Sequence, residues 1–99
     1  MRATPSAGSA TPDVTVYWRP GCGFCSSLRR DLARRDIHAR WINIWEDDGA
    51  RAFVRSVARG HETVPTAVVD GLAMVNPRGS DVQVALETAH ERTASGDAG

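Results

Sequence analysis

Cys22-Gly23-Phe24-Cys25 holds both cysteines of this chain, and two thiols separated by two residues can close a small disulfide within one helical turn. Placed between a strand and a helix, that spacing reads as a reversible redox centre rather than a staple. Only a thiolate attacks a disulfide, and a cysteine of ordinary pKa, about 8.5, is under roughly a tenth ionised at neutral pH. The unpaired amides and positive dipole end of a helix N-terminus favour the anion. Arg19, three residues upstream, adds a permanent positive charge. Cys25 falls one turn into the helix, on the side shared with Leu28 and Leu32, and is expected to be the more buried thiol. The asymmetry assigns attack to Cys22 and resolution to Cys25. Two other readings are weaker. A structural disulfide across so short a loop removes little chain entropy. A zinc site wants four ligands, and His38, His61 and His90 stand in unrelated contexts.

The elements around the cysteines must place Cys22 at a helix mouth. Val14-Thr15-Val16-Tyr17-Trp18 is a β-branched and aromatic run, hence a strand. Arg19-Pro20-Gly21 breaks it, and Ser26 to Arg35 carries Leu28 and Leu32 at helical spacing without proline or glycine. Ile37 to Ile44, with a core at residues 39–44, predicts a second strand, parallel to the first because a helix crosses over between them. Glu46-Asp47-Asp48 caps a helix over Ala50 to Ala58, which Gly60 ends. Thr66 to Val69 and Leu72 to Val75 predict an antiparallel hairpin about Asp70-Gly71. Ser80-Asp81-Val82-Gln83 fits a capping box opening a last helix, with Val82, Ala85, Leu86 and Ala89 on its core face. The order β-α-β-α-β-β-α predicts an α/β fold with a mixed four-stranded sheet.

Size and charge set the frame. The 99 residues predict one domain over 14–92, with loose tails of small and polar residues at 1–13 and 93–99. No apolar run approaches the ~20 residues that span a bilayer, and the N-terminus has no apolar signal stretch, so the expectation is a cytoplasmic protein without a membrane partner. A cytosolic Cys-x-x-Cys is more often catalytic than structural. A net charge of zero leaves no electrostatic footprint for nucleic acid. Arg29, Arg30, Arg34 and Arg35 crowd the first helix, with Asp31 four residues before Arg35. A solvated face is the stronger reading there, and a docking surface for an acidic partner is the alternative.

Thr63-Val64-Pro65 precedes the third strand, and taken alone it is an ordinary way into a strand. Together with Cys22-Gly23-Phe24-Cys25 after Val14-Thr15-Val16-Tyr17, and with the element order, it resembles the glutaredoxin branch of the thioredoxin superfamily over roughly Val14 to Ala89. That resemblance implies a thioredoxin-like three-layer fold, with a cis proline at Pro65 packed against the cysteines. It implies that Val64 pairs its backbone with the thiol substrate as an added strand. Arg19, Gly23, Phe24, Thr63, Val64 and Pro65 become the substrate-binding residues, with Cys22 and Cys25 catalytic; Arg19 takes the place of a lysine common in the family.

Within the branch the chain is similar to the actinobacterial mycoredoxins through Ala52-Phe53-Val54-Arg55-Ser56-Val57, Gly60-His61-Glu62-Thr63-Val64-Pro65 and Val75-Asn76-Pro77. Asn76-Pro77 replaces a Gly-Gly of glutathione-using members, and Glu62 stands where many carry arginine. An anion there should repel the carboxylates of glutathione, whereas mycothiol presents sugar hydroxyls instead. The resemblance therefore implies a monomeric oxidoreductase that reduces mixed disulfides between proteins and mycothiol, with mycothiol as co-substrate and no bound cofactor. The alternatives are a dithiol donor to ribonucleotide reductase and, because Cys22-Gly23-Phe24 matches part of a cluster-binding motif, an iron–sulfur carrier.

Overall fold

The computed structural model describes the backbone of residues 13–98 and side chains through residue 91. The segment 1–13 expected to be loose lies, except for Asp13, outside the described residues. Four strands and three helices follow in the expected order: β1 Val14–Trp18, α1 Gly23–Arg34, β2 Arg40–Asn43, α2 Asp48–Val57, β3 Thr66–Val69, β4 Leu72–Val75 and α3 Gly79–Ala98. The sheet runs β2-β1-β3-β4, with β1 parallel to β2 and antiparallel to β3, and β3 antiparallel to β4. It is the mixed α/β sheet that the crossover and the hairpin require.

Period-two alternation divides the sheet between two layers of helix. Val14 and Val16 of β1 pack with Leu28 and Leu32 of α1 and with Val82 and Ala89 of α3. On the other face Ile44, Ala50, Val54 and Ala58 gather around α2, joined by Tyr17, Ile42 and Phe53. The Tyr17 and Phe53 rings meet at 5.1 Å. Leu32, Val16, Ile44, Val54 and Val82 are fully enclosed, so each face has its own close-packed centre.

Several boundaries differ from the sequence expectation for local reasons. Helix α1 begins at Gly23 with Cys22 as its N-cap, so Cys22 stands at the helix mouth where the sequence placed it, while the helix ends at Arg34 rather than Arg35. Helix α2 starts at Asp48, capped by the Asp47 carboxylate, which accepts the Ala50 N–H at 2.9 Å. At α3 the capping box is shifted: Arg78 offers the first carbonyl, and Asp81, not Gln83, reaches back to accept the Arg78 N–H at 2.9 Å. That helix runs to Ala98, past the boundary at residue 92, since no proline stands between Arg92 and Ala98. The hairpin holds both Asp70 (φ 50°) and Gly71 (φ 84°) in the left-handed region, the geometry of a two-residue turn between twisted strands.

Candidate functional site

Cys22 sits where β1 gives way to α1, with extended backbone (φ −93°, ψ 108°), and its side chain caps the helix. The Cys25 N–H donates to Cys22 Sγ at 3.1 Å, so an otherwise unpaired amide of the first turn points at the sulfur. The two cysteines are joined as a disulfide. Cys22 is 9% exposed and Cys25 4%, so Cys25 is the deeper thiol as expected, although the mouth is far less open than the sequence suggested. The difference between the two sulfurs is positional. Among the described residues only Cys22 receives a helix amide at its sulfur, and that contact stabilises negative charge there.

The segment 63–66 comes against Cys22 from the other end of the chain. The Val64–Pro65 peptide is cis. Val64 O lies 3.7 Å from Cys22 Sγ, and Val64 is itself buried in the cluster that holds both cysteines. Two hydrogen bonds fix this turn. Thr66, fully buried, donates its hydroxyl to Thr63 O at 2.8 Å, and the Asn76 N–H donates to Pro65 O at 2.7 Å. Asn76 adopts a left-handed φ of 54°, a conformation asparagine tolerates better than most residues.

The other expected residues separate into two groups. Arg19 and Gly23 line a cleft of about 310 Å³ that opens onto both cysteines. Phe24, 70% exposed, belongs instead to a groove of about 590 Å³ shared with Asn76 and Pro77. Sequence reasoning missed five residues of the first cleft: Gly21 and Ser26 beside the cysteines, and the larger side chains of Trp18, Arg29 and Trp41. A signal existed for one of them, since Arg29 is four residues after Cys25 and so shares its helix face. Trp18 and Trp41 read only as strand residues.

Glu62 does not present a free negative charge. Its carboxylate bonds to Arg55 Nη2, and Arg51 Nε lies 3.9 Å from its other oxygen. Arg51 also lies 4.0 Å from Asp48, so two guanidinium groups meet two carboxylates and this corner is neutral on balance; with Glu62 paired in this way, its repulsion of glutathione loses its physical basis. Among the described residues no three His, Cys, Asp or Glu side chains gather closely enough to hold a metal ion. No helix among them is long and apolar enough to cross a membrane.

A mixed sheet carrying a helix-capping Cys-x-x-Cys beside a cis-proline turn defines a thioredoxin-like protein. The backbone superimposes on the glutaredoxin-like NrdH-redoxin of Escherichia coli with a TM-score of 0.62 at 22% identity, covering 72% of this chain and 91% of that one. A sequence model of the glutaredoxin family matches residues 14–73. Mycoredoxin 1 of Corynebacterium glutamicum is 32% identical over 76 residues, or 76% of this chain and 94% of that protein. A relative from Mycobacterium tuberculosis, named for the glutaredoxin family, is 34% identical over 77 residues, or 77% of this chain and 92% of its own. The chain belongs to the glutaredoxin family, whose members are thiol–disulfide oxidoreductases.

Proposed function

We propose that this protein reduces mixed disulfides between proteins and mycothiol, in a reducing compartment such as the cytoplasm. The observation that carries the reading is Cys22 Sγ held between the Cys25 N–H at 3.1 Å and Val64 O at 3.7 Å. The amide stabilises a thiolate, and the adjoining Val64 backbone offers an edge on which an extended substrate can align. The Cys22 thiolate attacks the mycothiol sulfur of the mixed disulfide. A new Cys22–mycothiol disulfide forms, the old sulfur–sulfur bond breaks, and the protein thiolate leaves and takes up a proton. A second mycothiol thiolate then attacks the adduct, giving mycothiol disulfide and free Cys22. Alternatively Cys25 attacks, releasing mycothiol and closing the intramolecular disulfide, which a further thiol must reduce. Rates follow the thiolate fraction and the basicity of the leaving thiol.

Mycothiol as the partner thiol is supported by the likeness to Mycoredoxin 1 and by Asn76-Pro77 ahead of α3, and no longer by Glu62. The test is a pair of coupled assays, one with mycothiol, its reductase and NADPH, the other with thioredoxin reductase. Cys22→Ser should abolish turnover in the first assay, and Cys25→Ser should keep a substantial part of it, because external mycothiol can replace Cys25. Equal loss in both variants, together with reduction by thioredoxin reductase, would establish a two-cysteine donor instead.

A further inference from the structure

The arginines of α1 do not form one uniform face. Arg34 Nη2 and Arg35 Nε both engage Asp31, at 2.5 and 3.2 Å, and Arg35 also bonds to Gln83 of α3. Arg29 does something else. Its guanidinium carbon lies over the Trp41 ring, 4.1 Å from the centroid, and 5.7 Å from that of Trp18. Both distances fall within the ~6 Å range of cation–π attraction. A guanidinium resting on a ring face keeps its N–H groups free in its own plane, and that planar fork matches a carboxylate. Among the described residues Arg29 has no carboxylate within ion-pair distance, and the only hydrogen bond of the Arg19 side chain is to Pro20 O at 3.3 Å. Both arginines line the cleft that opens onto Cys22 and Cys25, and no acidic residue lines it. Thr63, Val64 and Phe24 are not part of that cleft, so Cys22 has a second, cationic flank.

We propose that Arg29, seated on Trp41 and Trp18, is a specificity-determining residue that binds a glutamate or aspartate side chain next to the modified cysteine of the protein substrate. The inference rests on the thiol–disulfide reading and not on the identity of the small thiol. Attack on a disulfide aligns three sulfurs, so the two halves of the substrate diverge on either side of the reacting centre. The half directed toward β2 meets two unpaired guanidinium groups. Because Arg29 is exposed at the surface of α1, its replacement leaves the core untouched.

The test uses reduced protein and peptides whose cysteine carries 2-mercaptoethanol as a mixed disulfide, with either Glu or Gln beside that cysteine. The rate ratio within one variant cancels any change in thiolate reactivity. The wild type should react about fivefold faster with the Glu peptide at low salt, as one partly exposed charge pair allows. The preference should fade near 1 M salt, where screening acts over about 3 Å. Arg29→Gln should bring the ratio close to one, and Trp41→Leu should lower it by releasing the guanidinium, while Trp41→Phe preserves it. A wild-type ratio near one, or a ratio that survives Arg29→Gln, overturns the proposal. A Gln peptide carrying glutathione moves the carboxylates to the small half. If its rate falls in Arg29→Gln while the Glu/Gln ratio stays unchanged, the site serves the small thiol and the proposal is wrong. Failure to react with any of these peptides overturns the oxidoreductase reading and the subsite with it.

Discussion

Thr66→Val separates the stability of the cis-proline turn from its service to Cys22. Thr66 is fully buried, and its hydroxyl spans the turn to Thr63 O at 2.8 Å. Valine keeps the shape and loses the donor. A typical internal hydrogen bond contributes about 0.5–1.5 kcal/mol net, and a buried methyl recovers up to ~0.8 kcal/mol of it. With the methyl fully recovered the expected loss is about 0–0.7 kcal/mol, read as a fall of at most about 6 °C in Tm for a domain of this size. Activity should fall by more than this. The Asn76 N–H still holds Pro65 O, but the Thr63 side of the turn is released, and Val64 O is the group 3.7 Å from Cys22 Sγ. Small misplacements of a reacting pair cost up to about a hundredfold, and we expect roughly tenfold in kcat/KM for a mixed disulfide. Urea unfolding gives the stability, single-turnover reduction gives the rate, and alkylation by iodoacetamide reports Cys22 alone. If kcat/KM stays within about twofold of wild type, or if alkylation slows as much as reduction does, the turn does not position substrate in the way described.

Two further outcomes concern the joint between α1 and α3. A Cβ on Gly79 would come 1.9 Å from Asp31 Oδ2 and 2.6 Å from its Cγ, and the carboxylate is tethered by Arg34 and Arg35, so it cannot swing aside freely. Gly79→Ala should cost no more than about 1 kcal/mol by urea denaturation, the worth of the partly exposed ion pairs that must shift with the Asp31 carboxylate, and adding Asp31→Ala should restore most of it; equal losses in the single and double variants would place the strain elsewhere. The Arg34 hydrogen bond, with Arg35 beside it, holds the Asp31 carboxyl below its ordinary 3.8. A depressed pKa adds stability that is fully present above 3.8 and is lost as pH falls through the native value. Asp31→Asn should therefore flatten the loss of urea midpoint on acidification below pH 3.8, and an unchanged acid limb would show that the carboxylate contributes nothing there.

What the sequence made legible was whatever short-range chemistry dictates. Asp70-Gly71 permits little but a tight turn, so β3 and β4 ended where expected, at Val69 and from Leu72. The β-branched and aromatic run from Val14 to Trp18 marked β1, and the intervening helix required the parallel β1–β2 pair. The misplaced boundaries lie at caps. The break at Arg19-Pro20-Gly21 put Cys22 at the mouth of α1, although cysteine is not among the preferred capping residues and its capping role was not announced. At α3 two acceptors, Asp81 and Gln83, competed for one cap, and the start of the helix at Gly79 decided between them. The charge of Glu62 was visible, whereas its neutralisation by Arg51 and Arg55 depended on how the end of α2 packs against the loop before Thr63. Trp18, Arg29 and Trp41 come from three elements and meet only because β1 pairs with β2 beneath α1, with Val16 opposite Trp41.

The two flanks of Cys22 differ in the kind of discrimination they offer. On one side the nearest group is a main-chain carbonyl, Val64 O, and a backbone contact is indifferent to the side chains of what it binds. Such a surface suits an enzyme that must accept many proteins sharing only a modified cysteine. On the other side Arg29 and Arg19 present side-chain charge without built-in counter-ions, in a cleft that an incoming chain must partly fill. Charge at that distance ranks substrates without excluding any, because an exposed ion pair alters binding by less than a factor of about ten. A tight clamp would slow release of the reduced protein, whereas a weak cationic flank raises encounter rates with acidic partners and lets the product leave. The buried cysteine pair, by contrast, is enclosed between the Cys25 amide of α1 and the turn at Val64 and Pro65. Fixed geometry at the reacting sulfur with modest selectivity around it is the combination that the proposed reduction of many different protein mixed disulfides requires.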